Sequence, residues 1–163
     1  MEFKKAIKQK EFASPQMEAI LNMVYSANHF ESIMRKLLDE FDLSHEQYNV
    51  LRILRGNHPD AYELNQIRDR MLNSWSNVSR LVEKLRKKGF VTRQPKPDNR
   101  RKVEIKITED GLEFLEQVDA KLTTGELMEQ TLDNEQALHL SALLDELRTN
   151  LDEVFNESGS LDQ

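Results

Sequence analysis

Val78-Ser79-Arg80-Leu81-Val82-Glu83-Lys84-Leu85-Arg86-Lys87-Lys88-Gly89-Phe90-Val91-Thr92-Arg93 changes its apolar period from helix-like to strand-like within sixteen residues. Val78, Leu81, Val82 and Leu85 fall on one face of a helix. Gly89 ends that helix behind Lys87-Lys88, whose charges suit the negative end of the helix dipole. Phe90 to Arg93 then reads as a strand. After Pro95-Lys96-Pro97-Asp98-Asn99-Arg100-Arg101-Lys102, a turn-rich basic tip, Val103, Ile105 and Ile107 alternate with Glu104 and Lys106. A helix, a strand, a basic hairpin and a returning strand are thus laid down in thirty residues.

Working upstream, Asn73-Ser74-Trp75-Ser76-Asn77 is a polar break. Before it a short helix is expected at about 63–72, with Leu64, Ile67 and Met71 inward and a cap at Asp60 or just after it. Leu43-Ser44-His45-Glu46-Gln47-Tyr48 carries two helix-start signals at once. Ser44 and Gln47 are spaced as a capping box, Leu43 and Tyr48 as a hydrophobic staple. That helix runs through Val50, Leu51, Ile53 and Leu54 and stops at Gly56, ahead of Pro59. Further up, Ser14-Pro15 opens a long amphipathic helix in which Met17, Ile20, Leu21, Val24, Ala27, Phe30, Met34, Leu37, Leu38 and Phe41 recur at steps of three and four. Residues 1–13 read as a loose arm or a short helix.

Downstream, Thr108-Glu109-Asp110 starts a helix that buries Leu112, Leu115, Val118 and Leu122. A last helix opens at Asp133 with Gln136 as capping partner. Leu140, Leu144, Leu147, Leu151 and Val154 step by four, three, four and three, the spacing of a helix–helix seam. From Asn156 the tail is small and polar, and fraying is expected there.

The chain has 163 residues and carries 23 Lys or Arg against 29 Asp or Glu, a net charge of −6. Overall acidity argues against a nucleic-acid partner, but its distribution reverses the argument. Arg68 to Lys102 holds twelve basic and three acidic side chains, and the rest of the chain eleven and twenty-six. A basic module on an acidic body is the footprint of a polyanion-binding surface. The absence of Cys excludes disulfides and thiolate metal sites. No apolar run exceeds three residues, so neither a membrane span nor a signal-peptide core is expected, and the default compartment is the cytoplasm.

Helix, helix, helix, strand, basic hairpin, strand is the outline of a winged helix-turn-helix: mainly α, with a small β-hairpin wing. The major groove of DNA admits one helix, read near its N-terminus. Candidate contacts there are Ser74, Ser76, Asn77 and Ser79 as hydrogen-bonders, with Arg80 and Lys84 as cations. Lys96, Arg100, Arg101 and Lys102 on the wing would meet the adjacent minor groove, whose negative potential favours guanidinium where it narrows.

Ser79-Arg80-Leu81-Val82-Glu83-Lys84-Leu85, Lys88-Gly89-Phe90-Val91 and Arg93 resemble the recognition-helix and first-strand pattern of the MarR family. Asp98-Asn99-Arg100 and Ile107-Thr108-Glu109-Asp110-Gly111 resemble its D-x-R wing signature and L-T-x-x-G continuation. The resemblance implies an obligate homodimer built from the terminal helices and binding double-stranded DNA at pseudo-palindromic operators; many members are repressors released by small ligands. It implies that Arg100 enters the minor groove and that Asp98 fixes the wing by pairing with a basic side chain. Arg80 takes the place of the recognition-helix arginine, to read bases or to serve that internal pairing. It further implies an aromatic or lipophilic effector in the cleft between dimer helices and winged domain, which flexible Met17, Met23, Met34 or Met128 would suit, although plain core packing explains a methionine stripe. Two positions depart from the pattern: Ser79 stands where Thr is usual, and Trp75 is foreign to the recognition turn. Since Trp is mostly buried, we expect it beneath the turn.

The expected domains are a dimerisation segment at 1–42, a DNA-binding module at 43–111 and dimerisation helices at 112–163. His29, His45, His58 and His139 lack metal-ligand spacing, no nucleophile elbow or phosphate loop is present among five glycines, and neither cofactor, metal nor catalysis is expected. Two other readings of the same residues are an adaptor whose basic face binds an acidic protein, and a ligand-binding protein that kept the fold.

Overall fold

The computed structural model describes residues 2–73, 75–96, 99–122 and 130–159. It divides into two compact units, Met1–Leu122 and Thr123–Gln163.

In the first unit a short helix, α1 (Phe3–Ala6), settles the reading of the arm: Phe3 is buried and stacks on Phe12. Helix α2 (Pro15–Asp39) starts as expected, with Ser14 Oγ accepting the Met17 N–H and Pro15 at the first helical position. Helix α3 (His45–Arg55) carries the full capping box, Ser44 Oγ accepting from Gln47 N–H and Gln47 Oε1 from Ser44 N–H. Leu43 and Tyr48, the staple pair, are both buried.

The next segment corrects the sequence reading. A two-residue strand, β1 (Tyr62–Glu63), precedes α4 (Leu64–Arg68), and of the expected cap positions, Asp60 or just after it, the N-cap falls at Glu63. Gln66 Oε1 accepts the Glu63 N–H at 2.8 Å. Two residues cannot display a period of two, and β1 exists only because it pairs with a strand some forty residues away in sequence. The helix α5 (Val78–Lys87) buries Val78, Val82 and Leu85. Strands β2 (Val91–Lys96) and β3 (Asn99–Ile107) form the hairpin, and the antiparallel sheet has the order β1-β3-β2. Tyr62 lies opposite Ile105, and Val91 opposite Ile107. Helix α6 (Glu109–Leu122) follows.

One core holds this unit together. Leu38 of α2, Val50, Leu51 and Leu54 of α3, Ile67 of α4, Val82 and Leu85 of α5, Ile105 of β3, and Leu115 and Val118 of α6 are all essentially without solvent contact. At about 0.8 kcal/mol per buried methylene, this shared burial sets the orientation of α5 and the hairpin.

Among its described residues the second unit holds one helix, α7 (Asn134–Gly159). Asp133 and Gln136 cap each other as expected, at 2.8 and 3.2 Å. The helix runs through Asn156 to Gly159, past the point where fraying is expected, because no residue before Gly159 breaks it. Along its seam positions Leu144 and Leu147 are half-buried, while Leu140, Leu151 and Val154 are exposed.

Candidate nucleic-acid interface

With one side of α5 in the core, its outer side is set by helical geometry. Residues 80, 84 and 87 lie along one row, at i, i+4 and i+7. Arg80, Lys84 and Lys87 are exposed there, and none forms a salt bridge with a described residue. Glu83 shares the face but is occupied by Arg86, whose guanidinium reaches its carboxylate at 2.8 and 3.0 Å. That hydrogen bond holds the Glu83 carboxyl below its ordinary range. From sequence Lys87 reads only as a helix-end charge; its distance of three residues from Lys84 is the signal that it belongs to this row.

The N-terminal turn is built differently from its expected use. Asn77 is the cap: its Oδ1 accepts the Arg80 N–H at 3.1 Å. Ser79 is exposed. Ser76 is half-buried, and its Oγ is buried without a hydrogen-bond partner among the described residues, so that hydroxyl faces the protein. Ser74 lies outside the described residues. Trp75 overturns the expectation of a buried anchor, being 94% exposed. The flanking residues Met71 and Val78 are the ones that join the core. The Trp75 backbone is held in place, its N–H donating to Asn73 Oδ1 at 3.1 Å.

The hairpin is anchored at its base and along its stem. Gly89 adopts φ +82°, a left-handed conformation open to glycine at no steric cost. Thr108 Oγ1 donates to Gly89 O at 2.8 Å and accepts the Gly111 N–H at 3.0 Å. Phe90 stacks on Phe114 with ring centroids 4.1 Å apart. On the stem, Lys102 Nζ lies 2.9 Å from Glu63 and Lys96 Nζ 3.4 Å from it. The Lys102 hydrogen bond, and then the charges of both lysines, keep the Glu63 carboxyl below its ordinary 4.5. Sequence reasoning misses Glu63: its spacing to Gln66 signals a cap, but nothing local signals a pairing across thirty-three and thirty-nine residues. Asp98, expected to fix the wing, lies outside the described residues, as do the side chains of Arg100 and Arg101.

Between α2, α3 and the turn at 71–73 lies a cavity of about 410 Å³. Glu31, Arg35, His45, Asn49, Met71 and Leu72 contribute to its lining. His45 Nδ1 and Glu31 Oε2 are 2.6 Å apart, and Asn49 Oδ1 is buried without a partner among the described residues. Met71 is the methionine that lines this cavity; Met34 is a core residue, and Met128 lies outside the described residues. Among the described residues, no group of three His, Asp or Glu is placed to hold a metal ion. No helix among them is long and apolar enough to cross a membrane.

A family model described as the MarR family matches residues 43–103, the span from the start of α3 into β3. A solved MarR transcription factor from Planctomyces limnophilus is 31% identical, with a TM-score of 0.62, and the match covers 88% of this chain and 99% of that one. The chain belongs to the MarR family. Among curated relatives, the HTH-type transcriptional repressor IacR of Pseudomonas putida is 27% identical over 122 residues, 73% of this chain and 71% of the relative. A mutant MarR from E. coli, solved in complex with operator DNA, shares the fold at a TM-score of 0.69 and 18% identity, covering 84% of this chain and 99% of that one. The likeness to MarR structures therefore reaches well beyond the residues of the family match, and that match itself takes in the cation row, the cap and the wing stem.

Proposed function

We propose that this MarR-family chain is a sequence-specific, double-stranded-DNA-binding regulator of transcription that acts as a homodimer on a pseudo-palindromic operator. The observation that carries the reading is the row Arg80, Lys84 and Lys87, unpaired among the described residues, on the outer face of a helix whose other face is locked in the core. The basic hairpin follows directly. In this reading the α5 N-terminus enters the major groove, with Ser74, Ser76, Asn77 and Ser79 near the DNA, and Arg100 and Arg101 meet the minor groove beside it. Lys96 and Lys102 brace the stem through Glu63 and add to the local positive potential, and Asp98 steadies the tip.

Dimerisation is supported by apolar side chains left in water. On α2 these are Met17, Leu21, Val24, Phe30 and Ile33; on α7 they include Leu140, Leu151 and Val154. Exposed stripes of this kind mark an interface. Residues 1–42 and 112–163 accordingly supply the dimer contacts and 43–111 the DNA contacts. Repression is the mode favoured by the naming of the IacR relative, and release by a small molecule is supported by the cavity beside the α5 turn. A binding role without catalysis, in the cytoplasm, completes the reading.

Selection of genomic fragments by the full-length protein tests it. The expected result is enrichment of inverted repeats with half-sites about 10 bp apart, one helical turn. Arg100→Ala is expected to lose that enrichment while remaining dimeric. A wild-type protein that enriches no fragment over a protein-free control would overturn the proposal.

A further inference from the structure

Trp75 is the chain's single tryptophan, and the fold leaves it in water. We propose that its indole reads DNA sequence, lying against the C5-methyl group of a thymine in the major groove. The inference rests on the DNA-binding reading above and adds to it a specificity determinant.

Position comes first. Trp75 is two residues before the Asn77 cap of α5, so its Cα lies within about 7.6 Å of the Asn77 Cα. It is not a loose loop tip, because Asn73 Oδ1 holds its N–H. The side chains on either side of the turn that enter the core are Met71 and Val78, while Trp75 is left 94% exposed. An aromatic ring kept outward by a tied turn is built to meet something.

The surroundings decide what it meets. The outer face of α5 presents Arg80, Lys84 and Lys87, none in a salt bridge with a described residue, a surface that repels an apolar protein face and attracts a polyanion. Among the groups that base pairs show in the major groove, the thymine methyl is the apolar one. The indole carbons match it, and the indole N–H, which has no described partner, is left to donate to a neighbouring base acceptor or phosphate. Ser76 cannot do this work, since its hydroxyl is buried.

The test uses the full-length protein and a duplex it selects from a random-sequence pool. Binding is followed both by anisotropy of a labelled duplex and by the emission of the lone tryptophan. Saturation with duplex is expected to quench and blue-shift that emission. Replacing thymidine by deoxyuridine, position by position, should identify one base per half-site at which wild-type affinity falls about fourfold, the worth of one buried methyl. Trp75→Ala should bind more weakly and lose sensitivity to that replacement, while remaining sensitive to salt. Emission that stays constant while anisotropy reports full binding refutes the contact, as does a Trp75→Ala variant with unaltered deoxyuridine sensitivity. An emission shift that follows protein concentration in the absence of DNA would assign the ring to self-association instead. Absence of any duplex binding would remove the regulator reading along with this one.

Discussion

Gly111→Ala is expected to destabilise the protein, although the same change in most helices stabilises it. A Cβ at this position would sit 2.2 Å from Phe90 O, 2.9 Å from Ile107 Cγ1 and 3.0 Å from the Phe90 carbonyl carbon. The nearest obstacle is backbone, and it is held from the other side, since Phe90 O accepts the Thr108 N–H at 3.0 Å. Relief requires α6 and the start of β2 to part by about 1 Å, at the upper end of the roughly 1–3 kcal/mol that overpacking costs. About 1 kcal/mol returns from the better helix propensity of Ala. The net loss is about 2 kcal/mol, or about 4–8 °C in melting temperature for a chain of this size. Urea unfolding at one fixed protein concentration measures it, because dimer stability depends on concentration. A midpoint lowered with unchanged slope is the expected result. A variant as stable as wild type, or more so, would refute the packing argument for the glycine in the L-T-x-x-G motif.

Glu63→Gln releases Lys96 and Lys102 from their shared partner, so affinity for random duplex at low salt should rise and the salt slope steepen by about one unit. Because the folded Glu63 carboxyl titrates below its ordinary 4.5, the stability difference between wild type and this variant should be constant near neutral pH and disappear as pH falls through that lower value. Equal slopes at neutral pH would count against the stem anchor. Tyr48→Phe removes a 2.6 Å hydrogen bond to the Asp119 carboxylate, which keeps Arg55 as a partner. A loss of about 1.5 kcal/mol in urea unfolding is expected, and a change under about 0.5 kcal/mol would contradict it. Leu144→Asp with Leu151→Asp should convert the dimer to a monomer in sedimentation and abolish operator binding; a stable dimer from that pair would remove α7 from the interface.

What local chemistry sets, the sequence displays. The capping box of Ser44 and Gln47, the Ser14-Pro15 start, the Asp133–Gln136 cap and the alternation of Val103, Ile105 and Ile107 each lie within a few residues, and each forms as read. The features hidden from a sequence reading depend on distant partners. Strand β1 exists by pairing with β3, and Glu63 finds its lysines only after the hairpin folds back. Trp75 shows another kind of failure. A burial tendency is an average over many side chains, and here Met71 and Val78 enter the core while Trp75 stays in water. The cation row is partly legible: helical spacing links Arg80 to Lys84, and it links them equally to Lys87.

The salt dependence of duplex binding tests the central claim most directly, namely that the cations of α5 and the wing face DNA. With about three phosphates neutralised per protomer, log K should fall linearly against log salt with a slope of about −5 for a dimer. Affinity that is flat in salt, or a protein that retains no duplex at low ionic strength, would contradict the account.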